Sequence, residues 1–306
     1  MVGQGIGVAR RRGPMWGVRG AGRRLVRLAS ARREASAGFG LVIIIACFCW
    51  IGPLAWRISP LSVNLTGSLL GPSTAHPFGT DQLGRDMLAE VMAAGRLDIV
   101  VALVVAVIGG IVGVSIGLLA GLRGGIVDNV SMRLIDSLLA FPPLILALAV
   151  SVALGAGTIP AAIGITISTV PFYARLMRSE VLRVRGLPYV EAAVASGGRP
   201  ARIVSRHVLP HTWQVIGIQA SSVVGYSVLT FAALGFVGLG VQPPTPEWGT
   251  MITTGLSYVL SGQWWIGVFP GAMLLLLVIG CNSGADGLGG SSSRVLLVGA
   301  GPSSEE

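Results

Sequence analysis

Few side chains in this chain could ligate a metal or move a proton near neutral pH: three His, three Cys and 13 Asp or Glu among 306 residues. His207 and His211 are four apart, but Pro210 lies between them and no nearby carboxylate or Cys completes a tetrahedral set. In the topology read below, His76 falls on the opposite side of the membrane, so no metal site is expected. Asp81 and Asp86 are of the type that caps turns and helix starts. All 22 basic residues are Arg. The absence of Lys removes Schiff-base chemistry and the G-x-x-x-x-G-K-[ST] phosphate loop, so the chain has no ATP site of that kind. Cys47, Cys49 and Cys281 lie in apolar runs, which argues against a disulfide framework. Ile45-Ala46-Cys47 is like the end of a lipoprotein cleavage box. Apolar sequence continues beyond it to Trp56, as in an uncleaved helix.

The elements that position these residues follow from composition. Hydrophobic residues make up 52% and charged residues 11% of the chain, against about 25% charge in a soluble domain. A water-facing surface cannot be built from that supply, and disorder is excluded for the same reason. The reading is an all-α, polytopic membrane protein. A bilayer core of about 30 Å needs about 20 apolar residues per helix. Six stretches meet or approach this: 39–56, 97–121, 134–154, 159–175, 212–240 and 264–282. The fourth is short and contains Pro171, and Phe141-Pro142-Pro143 must kink the third. Gly155-Ala156-Gly157-Thr158 supplies the turn between those two.

Arginine sets the orientation. Nine precede the first span, two flank the loop after the second, seven lie between 175 and 206, and Arg294 is in the tail; only Arg57, Arg85 and Arg96 fall on the other side. Both termini are therefore expected in the cytoplasm, with the chain multi-pass in the membrane. The organisation reads as an Arg-rich arm (1–38), a first helix (39–56), an extracytoplasmic segment (57–96), a five-helix core (97–282) with a cytoplasmic loop at about 176–211, and a tail (283–306). The arm's charge suits anionic membrane lipid. The net charge of +9 follows topology and does not indicate nucleic acid. Trp248, Trp264 and Trp265 suit an interfacial aromatic belt.

Gly109, Gly113, Gly117 and Gly121 recur every four residues through the second span, a stripe along which two helices can approach closely. In the fifth span Gln219, Ser222 and Thr230 suit either a water-lined pathway or helix–helix hydrogen bonds. Arg133 and Asp136, at i and i+3, read as a local ion pair. No Ser-His-Asp, Cys-His or paired-carboxylate set survives this topology, because its candidates fall on different faces. Sparse ionisable groups inside the spans also argue against a self-contained secondary transporter.

The long loop is the most specific segment. A short helix is expected from about Pro188, ending at Gly197-Gly198. A second should start at Pro200 and be interrupted by Pro210. Ala192, Ala193, Ala195, Ser196 and Gly197 give it a small-residue face. Glu191-Ala192-Ala193 with Gly197, then His207, Leu209 and Pro210, resembles the E-A-A-x-x-x-G loop of ABC importer permeases. His76-Pro77-Phe78-Gly79-Thr80-Asp81-Gln82-Leu83-Gly84-Arg85-Asp86 resembles the outer-loop signature of the C-type permeases of dipeptide, oligopeptide and nickel importers.

That resemblance, covering about 39–288, implies a type I ABC importer permease-like fold with six transmembrane helices. It implies Glu191, Ala192, Ala193 and Gly197 as the residues that couple to an ATPase. It further implies a second homologous permease, two cytoplasmic P-loop ATPase subunits or a fused pair, and an extracytoplasmic solute-binding protein. ATP and Mg would be bound by the ATPases and no cofactor by this chain. The cargo implied is a dipeptide or oligopeptide, with nickel or another small solute as the alternative. The sequence departs from the family after Leu288, where Gly289-Gly290-Ser291-Ser292-Ser293 replaces the usual charged ending.

Overall fold

The computed structural model describes the backbone of residues 17–197 and 204–299; the side chains of 17–32, 34, 193, 194, 205, 207, 211 and 288–299 fall outside that description. The described helices are α1 (Gly17–Ala55), α2 (Met87–Arg123), α3 (Gly125–Leu139), α4 (Pro143–Leu154), α5 (Thr158–Arg185), α6 (Pro188–Ala195), α7 (Leu209–Phe236), α8 (Trp248–Val259) and α9 (Trp265–Gly299). Five helices are long and apolar enough to cross a membrane, or six if α3 and α4 form one span. Those two meet at an 87° bend. Phe141-Pro142 sits at the break, and Pro143 opens α4, where a missing N–H costs nothing. The expected kink is therefore a break. The fourth span is longer than expected: α5 runs through a buried Pro171 for 28 residues. Packing against α2 and α4 holds it together.

α2 and α5 form the central pair and run parallel. The glycine stripe is the reason they approach. A Cβ at Gly109 would meet Thr169, at Gly113 Tyr173 and the Val170 carbonyl, at Gly117 the Ala174 carbonyl and Met177, and at Gly121 Val181. Arg185 completes the pairing by donating from Nη1 to the Gly121 and Leu122 carbonyls at 2.7 and 3.1 Å, which satisfies orphan groups at the end of α2. Gly113→Val should therefore destabilise the bundle by about 1–3 kcal/mol, as overpacking does. Gly217→Val, on an exposed position of α7 with nothing within 4 Å of its Cβ, should change little. Thermal unfolding in detergent checks both, and equal melting temperatures for the two variants would overturn the assignment.

Two expectations fail. Trp248 and Trp265 are buried core residues and not a belt: the Trp248 indole donates to the Val91 carbonyl at 3.0 Å, and that of Trp265 to the Thr80 carbonyl at 3.1 Å. Trp264 alone of the three is exposed. Asp136 pairs across helices with Arg175 at 2.6 Å, not with Arg133 three residues away, because the bend brings α3 against α5.

Candidate functional site

At the start of α2, residues 76–86 fold into a clasp in which His76, Thr80, Asp81, Arg85 and Asp86 each have a structural partner, while the buried Gln82 Oε1 has none. The Asp81 carboxylate accepts the Leu83 and Arg85 amides at 2.9 and 2.7 Å and pairs with the Arg85 guanidinium at 2.6 Å. Arg85 also reaches Glu90 at 2.9 Å. Asp86 caps α2 through the Ala89 amide at 2.8 Å, and takes the Trp56 indole at 3.0 Å and His76 Nδ1 at 2.7 Å. Thr80 donates to the Gly67 carbonyl and accepts the Leu70 amide. Gly79 and Gly84 take positive φ of 75° and 71°, Pro77 is exposed, and Phe78 stacks on Phe269 at 4.0 Å. The expected capping roles of Asp81 and Asp86 are present. The clasp ties the ends of α1, α2 and α9 together, and its outer side opens on a cavity of about 220 Å³ shared with Pro243–Pro246.

Sequence reasoning missed the polar centre beside it. Asp98 of α2 and Glu247 before α8 are both fully buried. Glu247 accepts the Gly249 and Thr250 amides at 2.7 and 2.8 Å, and Asp98 accepts the Trp248 amide at 3.2 Å. Together they satisfy the first three N–H groups of α8. Burial, the largest influence, pushes the Glu247 carboxyl up to about 7, and its two backbone donors oppose that rise. The signals that could have found this pair were an Asp inside an apolar span and a Glu directly before Trp248-Gly249.

At the opposite end of α5, α6 forms a knob. Val190 and Val208 are buried with Met177, Val181 and Val184 and anchor it, while Glu191, Ala192, Ala195, Ser196 and Gly197 are exposed. Within α6, Val190 faces inward and Glu191, Ala192 and Ala195 outward; Ser196 and Gly197 follow at the helix end, and Val208 packs in from a later turn. Ala193 is within α6, but its side chain is not among those described. Gly197 closes the helix with φ +76°, the left-handed conformation that favours glycine. The helix expected from Pro200 lies largely outside the described residues; a π-helical turn, Val204–Val208, follows. The side chains of His207 and His211 also lie outside them. Leu209 is half-buried and Pro210 exposed. Pro210 opens α7 in the first turn and does not interrupt a helix, since a first-turn Pro gives up only an unbonded N–H. In α7, Gln219 and Ser222 are half-buried, while Thr230 is buried and donates to the Tyr226 carbonyl at 2.8 Å.

Comparison with known proteins agrees with this architecture. Residues 113–290 match the family model described as binding-protein-dependent transport system inner membrane component. The chain is 37% identical to the probable D,D-dipeptide transport system permease protein DdpC of Escherichia coli (strain K12), over 81% of this chain and 83% of that one. It is 39% identical to the dipeptide transport system permease protein DppC of Alkalihalophilus pseudofirmus, over 84% and 85%. The inward-facing MetNI methionine ABC transporter shares the fold, with a TM-score of 0.53 at 21% identity, over 69% of this chain and 97% of that one. With its family model matching more than half its length and these relatives most of it, this multi-pass bacterial plasma-membrane chain belongs to the family of binding-protein-dependent transport system inner membrane components.

Proposed function

We propose that the chain is the permease subunit of an ATP-driven importer of dipeptides or oligopeptides, oriented with both termini and α6 in the cytoplasm. The observation that carries this is the α6 knob, anchored through Val190 on one face and exposed at Glu191, Ala192 and Ala195 on the other. A chain without Lys has no phosphate-loop lysine of its own; the energy enters through a docked ATPase. Glu191, Ala192, Ala193 and Gly197 form the coupling surface. A second homologous permease completes the pathway, two P-loop ATPases bind ATP and Mg below, and a solute-binding protein delivers cargo to the outer side. Closure of the ATPases biases the permease between inward and outward states. The names of the relatives favour a peptide as cargo.

Mild-detergent pull-down of the chain, followed by ATP hydrolysis on what accompanies it, tests this. The expected result is recovery with a second permease and two ATPases, with turnover raised by peptide-loaded binding protein. Turnover raised only by a nickel-loaded binding protein would change the cargo. Transport by the chain alone without ATP would overturn the reading.

A further inference from the structure

α3 sorts its charges in a way the transport cycle does not explain. Its acids face α5: Asp128 grips Arg178 through two bonds at 2.5 and 2.7 Å, and Asp136 holds Arg175 at 2.6 Å. Ile135, on the same side, is buried with Val170 and Ala174. The opposite face carries Ile126, Val130 and Leu134 at i, i+4 and i+8, all exposed, at 81%, 53% and 65%. Arg133 borders that stripe and Arg123 sits just before the helix; both are exposed and have no acidic partner among the described residues. The flank of the apolar stripe is therefore basic, while both acids are paired with arginines on the α5 side, Asp128 in a half-buried pair and Asp136 in an exposed one.

The height of α3 follows from α5. Arg175 and Arg178 lie 17 and 20 residues beyond Thr158, about 26 and 30 Å along a helix at 1.5 Å per residue. That is about the thickness of the hydrocarbon core, so the two ion pairs fasten α3 at the far boundary of the bilayer, where its last turns, with Ile135 on Val170 and Ala174, complete the span that the 12-residue α4 is too short to make alone. The 87° bend turns its axis across that of α4. An amphipathic helix held at this level, apolar outward and edged by Arg, has the pattern of a helix lying in a membrane interface.

We infer that α3 is a lipid-binding strut of the cytoplasmic leaflet: Ile126, Val130 and Leu134 enter the acyl region, and Arg123 and Arg133 hold the phosphates of anionic phospholipid. The inference rests on the orientation proposed above. Charge complementarity selects the anionic lipid, since a partner protein covering only the apolar stripe would leave both arginines without a counter-charge.

The test uses the full chain in its complex with Cys47, Cys49 and Cys281 replaced by Ala, and a reporter at Ile126→Cys or Leu134→Cys. Vesicles contain doxyl-labelled phosphatidylglycerol or doxyl-labelled phosphatidylcholine at equal mole fraction. Both reporters should be quenched, with the anionic lipid favoured by roughly fivefold for each Arg near the surface. Arg123→Gln with Arg133→Gln should bring that ratio to about one and leave chain quenching in place. Equal quenching by both lipids in the unaltered arginine background would overturn the headgroup assignment. Absence of quenching, with cross-linking of Leu134→Cys to the second permease, would make the face a subunit interface and overturn the inference. Sidedness is read separately by a membrane-impermeant thiol reagent on right-side-out vesicles. Labelling of Ile126→Cys from outside would overturn the orientation itself, independently of lipid preference.

Discussion

Gly197→Arg is expected to abolish ATP-driven uptake while the chain still inserts and folds. In the coupling role proposed above, this glycine does two separable things. Its φ of +76° is strained for an L-residue, by about 1–2 kcal/mol, so any side chain loosens the end of α6 somewhat. A Cβ there meets nothing within 4 Å, so the fold itself contains no obstacle. The obstacle arises when a partner surface closes on Glu191, Ala192, Ala195 and Ser196, which lie exposed beside it. A guanidinium on a long stem would hold that partner off and leave buried groups unpaired. Losing a central interface contact costs about 2 kcal/mol or more, and with the turn strain uptake should fall by more than about tenfold. Gly197→Asn, which tolerates the left-handed conformation, should keep much more activity than Gly197→Arg. Uptake in membrane vesicles, with recovery of the ATPase on purification, gives both readings. Normal uptake by a correctly inserted Gly197→Arg chain would sink the coupling role of the knob.

The limits of sequence reading fall where contacts are long-range. Apolar runs place the spans and Phe141-Pro142-Pro143 the break, because hydropathy and proline sterics act locally. The stripe Gly109 to Gly121 was legible because one helix face carries it, although nothing in the sequence says that its partner is α5, about sixty residues on. Pro171 was misleading for the converse reason: its local penalty is real, and packing against α2, invisible in the sequence, outweighs it. Trp248 and Trp265 have a composition suited to an interface, yet each indole N–H finds a buried carbonyl, at Val91 and Thr80. Asp136 had two possible arginines, and the one 39 residues away on another helix, Arg175, wins through the 87° bend. The α6 knob was legible because it is built from neighbouring residues. The Asp98–Glu247 centre was not, since it joins positions 149 residues apart.

That centre supports the second large effect: Glu247→Ala should unfold the start of α8 and cost about 2–5 kcal/mol, because the Gly249 and Thr250 amides lose their acceptor inside the protein. Water cannot readily take over, since Gly235 packs its backbone directly against the carboxylate. No Arg pairs with either Asp98 or Glu247 among the described residues, so a charged Glu247 is not compensated by a cation. The pH dependence follows. Burial raises the Glu247 carboxyl from 4.5 to about 7 in the folded chain, and between those values the folded state holds more protons than the unfolded state. Stability contributed by this group is therefore present below about pH 4.5 and is lost as pH rises through about 7. Glu247→Gln, permanently neutral but with a side-chain nitrogen that cannot accept the second amide, should be the less stable chain near pH 5, and its deficit should shrink as pH rises to 8. Thermal unfolding of both chains in the same detergent at the two pH values reads this group together with its buried neighbour Asp98 and cancels the carboxylates elsewhere, which the two share. Parallel pH profiles would show that Glu247 is ionised in the folded protein throughout, and that its two amide donors outweigh the cost of burying its charge.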